Sequence, residues 1–191
     1  HTPTTPTHNA ARFGGGIDVN GMTTGVVFTI TGPNTFITGN TASNSGGGIQ
    51  IEGDTTLYML NDGIFVGQNT ATGGNGGGLH IVGPAIAKIG SPGTGTGVIY
   101  DNMAVNGGGV AVEPNHDTLA QAFLFLFSTD PSRPPRISNN AASGNGGGIY
   151  LGAYASFDPV GRHHVSVTAC SYRIDGNVAK EGSAGDMDSN S

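Results

Sequence analysis

The residues of this 191-residue chain best placed to do chemistry are its acidic pairs: Glu52 with Asp54, Glu113 near Asp117, and Asp186 with Asp188. Two carboxyl groups about 5–10 Å apart on one face can cleave a glycosidic bond, and sugar-processing clefts add aromatic rings and long loop walls. Glu52, Asp54 and Glu113 each follow a short apolar run, and stacking of repeats would bring Glu52 or Asp54 to roughly 10 Å from Glu113. No group of aromatics surrounds them, however, and the chain has no Trp. Solvated turn carboxylates are the simpler reading, so the chain is not expected to be an enzyme.

The metal and cofactor signals are weaker still. Asp186-Met187-Asp188-Ser189-Asn190 opens like a calcium loop but lacks its glycine and closing Glu. His163 and His164 are adjacent, and on a strand their side chains diverge rather than share a metal. His1, as a free N-terminus, could chelate copper through its amine and imidazole, but it belongs to a Thr/Pro arm with nothing to hold it. Cys170 stands alone, which excludes an intramolecular disulfide framework and reads as a small buried residue. The Gly-rich segments lead into strands rather than helices, so they cradle no phosphate. No cofactor and no metal are expected.

Composition removes further classes. The formal charge is −6, with 13 acidic and 7 basic residues, so no basic stripe exists to meet nucleic acid. The longest apolar stretch, 122–127, is far short of the roughly 20 residues that cross a bilayer as a helix, so no transmembrane segment is expected. Glycine is abundant, at 35 residues, yet follows no three-residue period, which excludes collagen. Val, Ile, Leu and Phe recur in alternating clusters, which a disordered chain would not keep.

What must position any site is a repeat. Five Gly-Gly-Gly triplets open at Gly14, Gly46, Gly76, Gly107 and Gly146, spaced by 32, 30, 31 and 39 residues, and each is followed by apolar-x-apolar. Upstream of every triplet lies Asn-x-Ala, from Asn9/Ala11 to Asn140/Ala142, with a sixth copy at Asn177/Ala179 before a degenerate 182–185. Three places before the last five asparagines stands Ile or Val: Ile37, Val66, Ile99, Ile137 and Ile174. A further β-prone run separates most triplets from the next asparagine, as in 25–30, 57–60, 86–89, 122–127 and 165–169. With turn residues between and no helical period, three short strands per repeat of about 30 residues make one coil of a parallel β-helix. The expected fold is all-β: a single-stranded right-handed parallel β-helix, or solenoid, of about five coils.

The repeated residues take structural roles in that fold. Strand alternation turns Ile17, Val19, Ile49, Ile51, Leu79, Ile81, Val110, Val112, Ile149 and Leu151 inward as core. It turns Asp18, Gln50, His80, Ala111 and Tyr150 outward, a column too mixed for a repeated binding face. Asn40, Asn69, Asn102, Asn140 and Asn177 fall at one corner, where Asn tolerates a left-handed backbone and its amide bonds to the Asn above and below. The fourth repeat differs: Phe123, Phe125 and Phe127 alternate with leucines, so both faces need covering, and these rings are the candidate interface. The insertion 129–136 is the local alternative for covering them.

Gly-Gly-small-[Ile/Leu/Val] with an upstream apolar-x-x-Asn resembles the repeat of polymorphic outer-membrane proteins, over 9–185. Here the third small residue is Gly where that family prefers Ala, and Ile or Val stands where it prefers Phe. The resemblance implies a right-handed β-helix passenger on a bacterial surface, often an adhesin, hence an extracellular or cell-surface location. The expected division is a Thr/Pro arm over 1–8, the repeat domain over 9–185 and an acidic, polar tail over 186–191. No cap is recognisable at either end, and bare coils template pairing with another chain. The expected role is therefore a structural protein that joins head to tail with copies of itself into a filament or surface layer. The alternatives are an adhesin-like binding passenger with a cell-surface or glycan ligand, and a polysaccharide lyase or hydrolase.

Overall fold

Segments in which every second residue is apolar become strands with one dry face, and the spacing of the glycines sets how those strands line up. A computed structural model describes residues 9–60, 63–90, 97–118, 120–128, 130, 132–152, 166–170, 172–181 and 187–188. His1, His163, His164, Asp186, the 1–8 arm and the residues 182–185 lie outside that set, as do Thr129 and Pro131 of the insertion. The described chain is all-β, without helix, and forms three parallel sheets, one of them curled. Among the described residues no helix is long and apolar enough to cross a membrane.

The first sheet stacks two-residue strands from the Asn-x-Ala segments, in the order β1 (Ala10–Ala11), β4 (Thr41–Ala42), β7 (Thr70–Ala71), β11 (Met103–Ala104), β15 (Ala141–Ala142), β19 (Val178–Ala179). The second stacks β3 (Thr35–Thr38), β6 (Ile64–Gly67), β10 (Gly97–Tyr100), β14 (Arg136–Ser138) and β18 (Arg173–Asp175). The curled third sheet holds the strands that follow the triplets, β2 (Ile17–Thr31), β5 (Ile49–Leu60), β8 (Leu79–Val82), β12 (Val110–Glu113) and β16 (Ile149–Leu151). It also holds β9 (Ile86–Ile89), β13 (Phe123–Phe127) and β17 (Ser166–Cys170). Register follows the repeat: Ile17, Ile49, Leu79, Val110 and Ile149 are successive partners.

Several expectations are corrected. The triplet strand and the run after it are not separate in the first two repeats, where β2 and β5 each run through both. β5 is continuous and pairs β8 with its first half and β9 with its second, bending at Gly53, whose φ is +68°. Further along, Pro84 and Pro114 cannot donate to a ladder, and the two halves separate. The left-handed corner residue is one place earlier than expected: Gly39, Gln68, Asp101, Asn139 and Gly176 carry positive φ, and the asparagines after them do not. This leaves each Asn side chain free to turn inward. The Asn-x-Ala segment is itself a short strand, not only a corner. At the C-terminal side, β20 (Met187–Asp188) pairs antiparallel with β18, so the second sheet does not end on a bare strand.

The core runs through the middle of the repeats. Ile49, Ile51, Leu79, Ile81, Val110 and Val112 are fully buried, together with Leu57, Met59, Ile64, Val66, Ile99 and Leu124. Ile17, Val19 and Ile149 are only partly buried against this cluster, and Leu151 is 44% exposed rather than core. These four sit on β2 and β16, which among the described residues each pair with one neighbour, so their described packing partners lie on one side. Phe123, Phe125 and Phe127 are half-buried, on the face opposite Leu124 and Leu126, and the Phe123 and Phe125 rings stack with centroids 6.3 Å apart. Phe125 lies in register with Lys88, whose ammonium sits 5.1 Å from the Tyr58 ring.

The five asparagines are buried and form a continuous ladder. Oδ1 of Asn69 accepts from the backbone N–H and the side-chain amide of Asn40, at 2.9 and 3.0 Å. Asn102, Asn140 and Asn177 accept from the preceding Asn in the same way. Each of these amides also donates to a carbonyl of the second sheet: Asn69 to Ile37, Asn102 to Val66, Asn140 to Ile99 and Asn177 to Ile137. A polar seam inside an apolar core is stable only when satisfied in this way.

Candidate functional site

A triplet turn brings the first functional side chain into place. Gly76 adopts φ +68°, and a Cβ there would meet Cα and Cβ of His80 at 2.8 Å, so the turn folds flat against the start of β8. That fold sets Asn75 beside the outward column of the third sheet. The column runs Asp18, Gln50, His80, Ala111, Tyr150, each in register with the next. Its middle is not exposed, contrary to the expectation for an outward row: Gln50 and His80 are 4% and 7% accessible and Ala111 is fully covered.

Over His80 lies Glu113. Ala111 lies opposite His80 and carries only a methyl group, which leaves room for the longer Glu113 side chain two places on to lean back diagonally across the sheet. Its Oε2 lies 2.6 Å from His80 Nε2, and its Oε1 accepts from Asn75 Nδ2 at 2.9 Å. His80 Nδ1 meets Gln50 Oε1 at 3.1 Å, so both ring nitrogens are engaged and the imidazole is held in one orientation. Burial by itself would push the Glu113 carboxyl up. The hydrogen bond and charge of His80, with the Asn75 amide, outweigh it and hold the carboxyl below its ordinary range. Tyr150 stands in the next repeat along the column, and burial first, then the Glu113 charge, push its phenol up. These groups line one wall of an open cleft of about 410 Å³, completed by Val82, Pro114, His116 and Gly152. Gly152 has to be small: a Cβ there would press on Glu113 Cγ at 2.7 Å.

A second ladder props the site. The residues just before four of the triplets, Ser45, Asn75, Asn106 and Asn145, are linked: Asn75 N–H donates to Ser45 Oγ, Asn106 Nδ2 to Asn75 Oδ1, and Asn145 N–H to Asn106 Oδ1. Sequence reasoning missed this ladder, although Asn-Gly-Gly-Gly occurs three times, at Asn75, Asn106 and Asn145. It missed the His80–Glu113 pair as well, since column logic pairs residues straight across and this contact is diagonal.

The sequence-selected carboxylates do not converge. Register carries Glu113 to Val82, and Ile81 to Ile51, so Glu52 stands on the same line two strands away; yet the Glu113 carboxyl turns to His80 instead. Among the described residues lining the cleft, Glu113 is the one carboxylate, and no group of three His, Cys, Asp or Glu is arranged to hold a metal ion. An aromatic row does exist, away from these acids: the Phe36 and Phe65 rings stack at 5.1 Å, and Tyr100 meets Phe65 edge-on at 6.3 Å, lying over Gly67. No family model matches the chain, and neither a curated protein nor a solved structure matches it.

Proposed function

We propose that the three sheets are the faces of one right-handed parallel β-helix, a solenoid of about five coils, and that the protein is a structural element of an extracellular or bacterial cell surface. In this reading it is related in kind to the polymorphic outer-membrane repeat and joins end to end with copies of itself. The observation that carries it is where apolar surface is left uncovered. Met22, Val27 and Phe36, at 76%, 71% and 59% exposure, lie on β2 and β3, which among the described residues each pair on one side only. Leu151 and Val178, at 44% and 63%, lie on the outermost strands β16 and β19 of the opposite end, while Met103 alone of the large exposed apolar side chains, at 56%, stands in mid-stack among the described residues. Edge strands with apolar side chains are completed by a further strand, and a second copy offers one in matching register. The antiparallel β20 leaves two of the three sheets for this contact at the C-terminal side. Electron microscopy of the purified protein tests the proposal. Filaments with an axial repeat of roughly 25–30 Å, the height of five to six stacked strands, are expected. Short single rods at high concentration overturn it.

A second reading, the same solenoid used as a binding passenger, is favoured by one observation: the cleft at His80, Glu113 and Tyr150 is a concavity walled by a hydrogen-bonded set of polar side chains.

A further inference from the structure

We infer that the cleft between β8, β12 and β16 binds a neutral, hydroxyl-rich ring, a saccharide residue, through the Glu113 carboxylate and the face of Tyr150. The volume, about 410 Å³, is that of a small-ligand site rather than a protein-docking groove. The wall chemistry selects the class. A carboxylate offers about four acceptor positions, of which His80 and Asn75 use two, one on each oxygen. Each Glu113 oxygen thus already has one partner inside the protein, while lone pairs remain for hydroxyl donors. A purely apolar ligand would strip water from that carboxylate and give nothing back. An anion would meet Glu113 directly, and a cation would compete with an imidazole already in contact at 2.6 Å. Val82, Pro114 and the Tyr150 ring supply apolar surface on the same cleft, and the Tyr150 hydroxyl adds a donor. A ring with C–H faces and hydroxyl edges fits both kinds of surface at once.

The site is also rigid before any ligand arrives. Gln50 fixes His80, Asn75 fixes the second oxygen of Glu113, the Ser45–Asn75–Asn106–Asn145 ladder fixes Asn75, and Gly152 closes against the Glu113 stem. Preorganisation of this kind reduces the entropy lost on binding. The site shares β16 with the C-terminal edge, through Tyr150, but Phe36 on β3 at the opposite end takes no part in it, so a Phe36→Lys chain that no longer associates still tests binding on its own.

The test is a printed array of oligosaccharides with neutral, glucuronate and glucosamine termini, probed with the labelled full chain, followed by saturation-transfer NMR with the neutral sugar bound best. Binding to neutral termini is expected, weakened tenfold or more by Tyr150→Ala and by Glu113→Ala, less by Glu113→Gln, and unchanged by Glu52→Ala. Should Glu113→Ala fail to fold, the half-buried Tyr150→Ala decides alone. No neutral sugar bound at millimolar concentration, a preference for the charged termini, or binding that survives Tyr150→Ala overturns the proposal.

Discussion

Replacing Asn102 by Ala breaks the interior seam at its centre, and the cost follows from four hydrogen bonds. Asn102 Nδ2 donates to Val66 O at 3.0 Å and to Asn140 Oδ1 at 2.9 Å, and its Oδ1 accepts from Asn69 N and Nδ2, both at 3.0 Å. Asn69 Nδ2 keeps Ile37 O, and Asn140 Oδ1 keeps the backbone N–H of residue 102, so these two groups lose only part of their pairing. The Asn69 N–H, on a residue with no accessible surface, loses this acceptor outright. One stranded buried donor costs about 1–3 kcal/mol and three further bonds about 1 kcal/mol each, giving about 4–6 kcal/mol. With an m-value of about 2 kcal/mol/M, the urea midpoint should fall by about 2–3 M. Asn145→Ala is the control: its side chain is exposed, its amide reaches Asn106 Oδ1 only at 3.4 Å, and its backbone donor is untouched, so the loss should stay below about 1 kcal/mol. Urea unfolding followed by far-UV circular dichroism reads both. Equal losses for the two variants, or less than about 1 kcal/mol for Asn102→Ala, would refute the account of the seam.

Three further outcomes are expected. In Gly78→Ala the new methyl would sit 2.7 Å from both Gly109 O and Ile99 Cγ2 and 2.8 Å from Asn102 Nδ2, so melting should drop by about 6–12 °C for a cost of about 3 kcal/mol; an unchanged melting temperature would contradict the fit. The native Glu113 carboxyl ionises below its ordinary value of 4.5, so its contribution is complete above that pH and is lost as pH falls through the lowered native value. Urea midpoints between pH 7 and pH 3 should therefore fall more steeply for the wild type than for Glu113→Gln, and parallel curves would remove the ion pair from the argument. Phe36→Lys places a charge on an edge strand at a side chain 59% exposed, so filaments should be lost while the monomer loses only the Phe65 stack, about 0.5–1.5 kcal/mol; persistent filaments would move the contact elsewhere.

The architecture was legible because each glycine triplet follows an Asn-x-Ala asparagine by five to seven residues, which marks the repeats, and a strand period of two then assigns faces. That logic locates Ile49, Leu79 and Val110 as stacked core residues without coordinates. It fails where a local backbone choice decides the outcome. Whether Asn102 or Asp101 takes the left-handed conformation is invisible in a pattern that allows both, since Asp and Asn tolerate it alike; only the inward amide bonds settle it. It fails again where side-chain length matters more than position, as when Glu113 crosses the small Ala111 to reach His80. The exposure of Leu151 has a third cause: the pattern knows the face of a strand but not whether another strand lies beside it.

The spacing between Gly107 and Gly146 is eight residues longer than the one before it, yet Val110 and Ile149 remain exact partners. Extra chain is absorbed entirely outside the stacked frame, and Pro114 and His116, at the start of that longer span, form part of the cleft wall. A lineage of such proteins could therefore acquire or retune a recognition surface by lengthening one connection at a time, with the interior indifferent to each trial. Variation in loop length, rather than in the repeated residues, is where functional divergence among relatives of this chain should be sought.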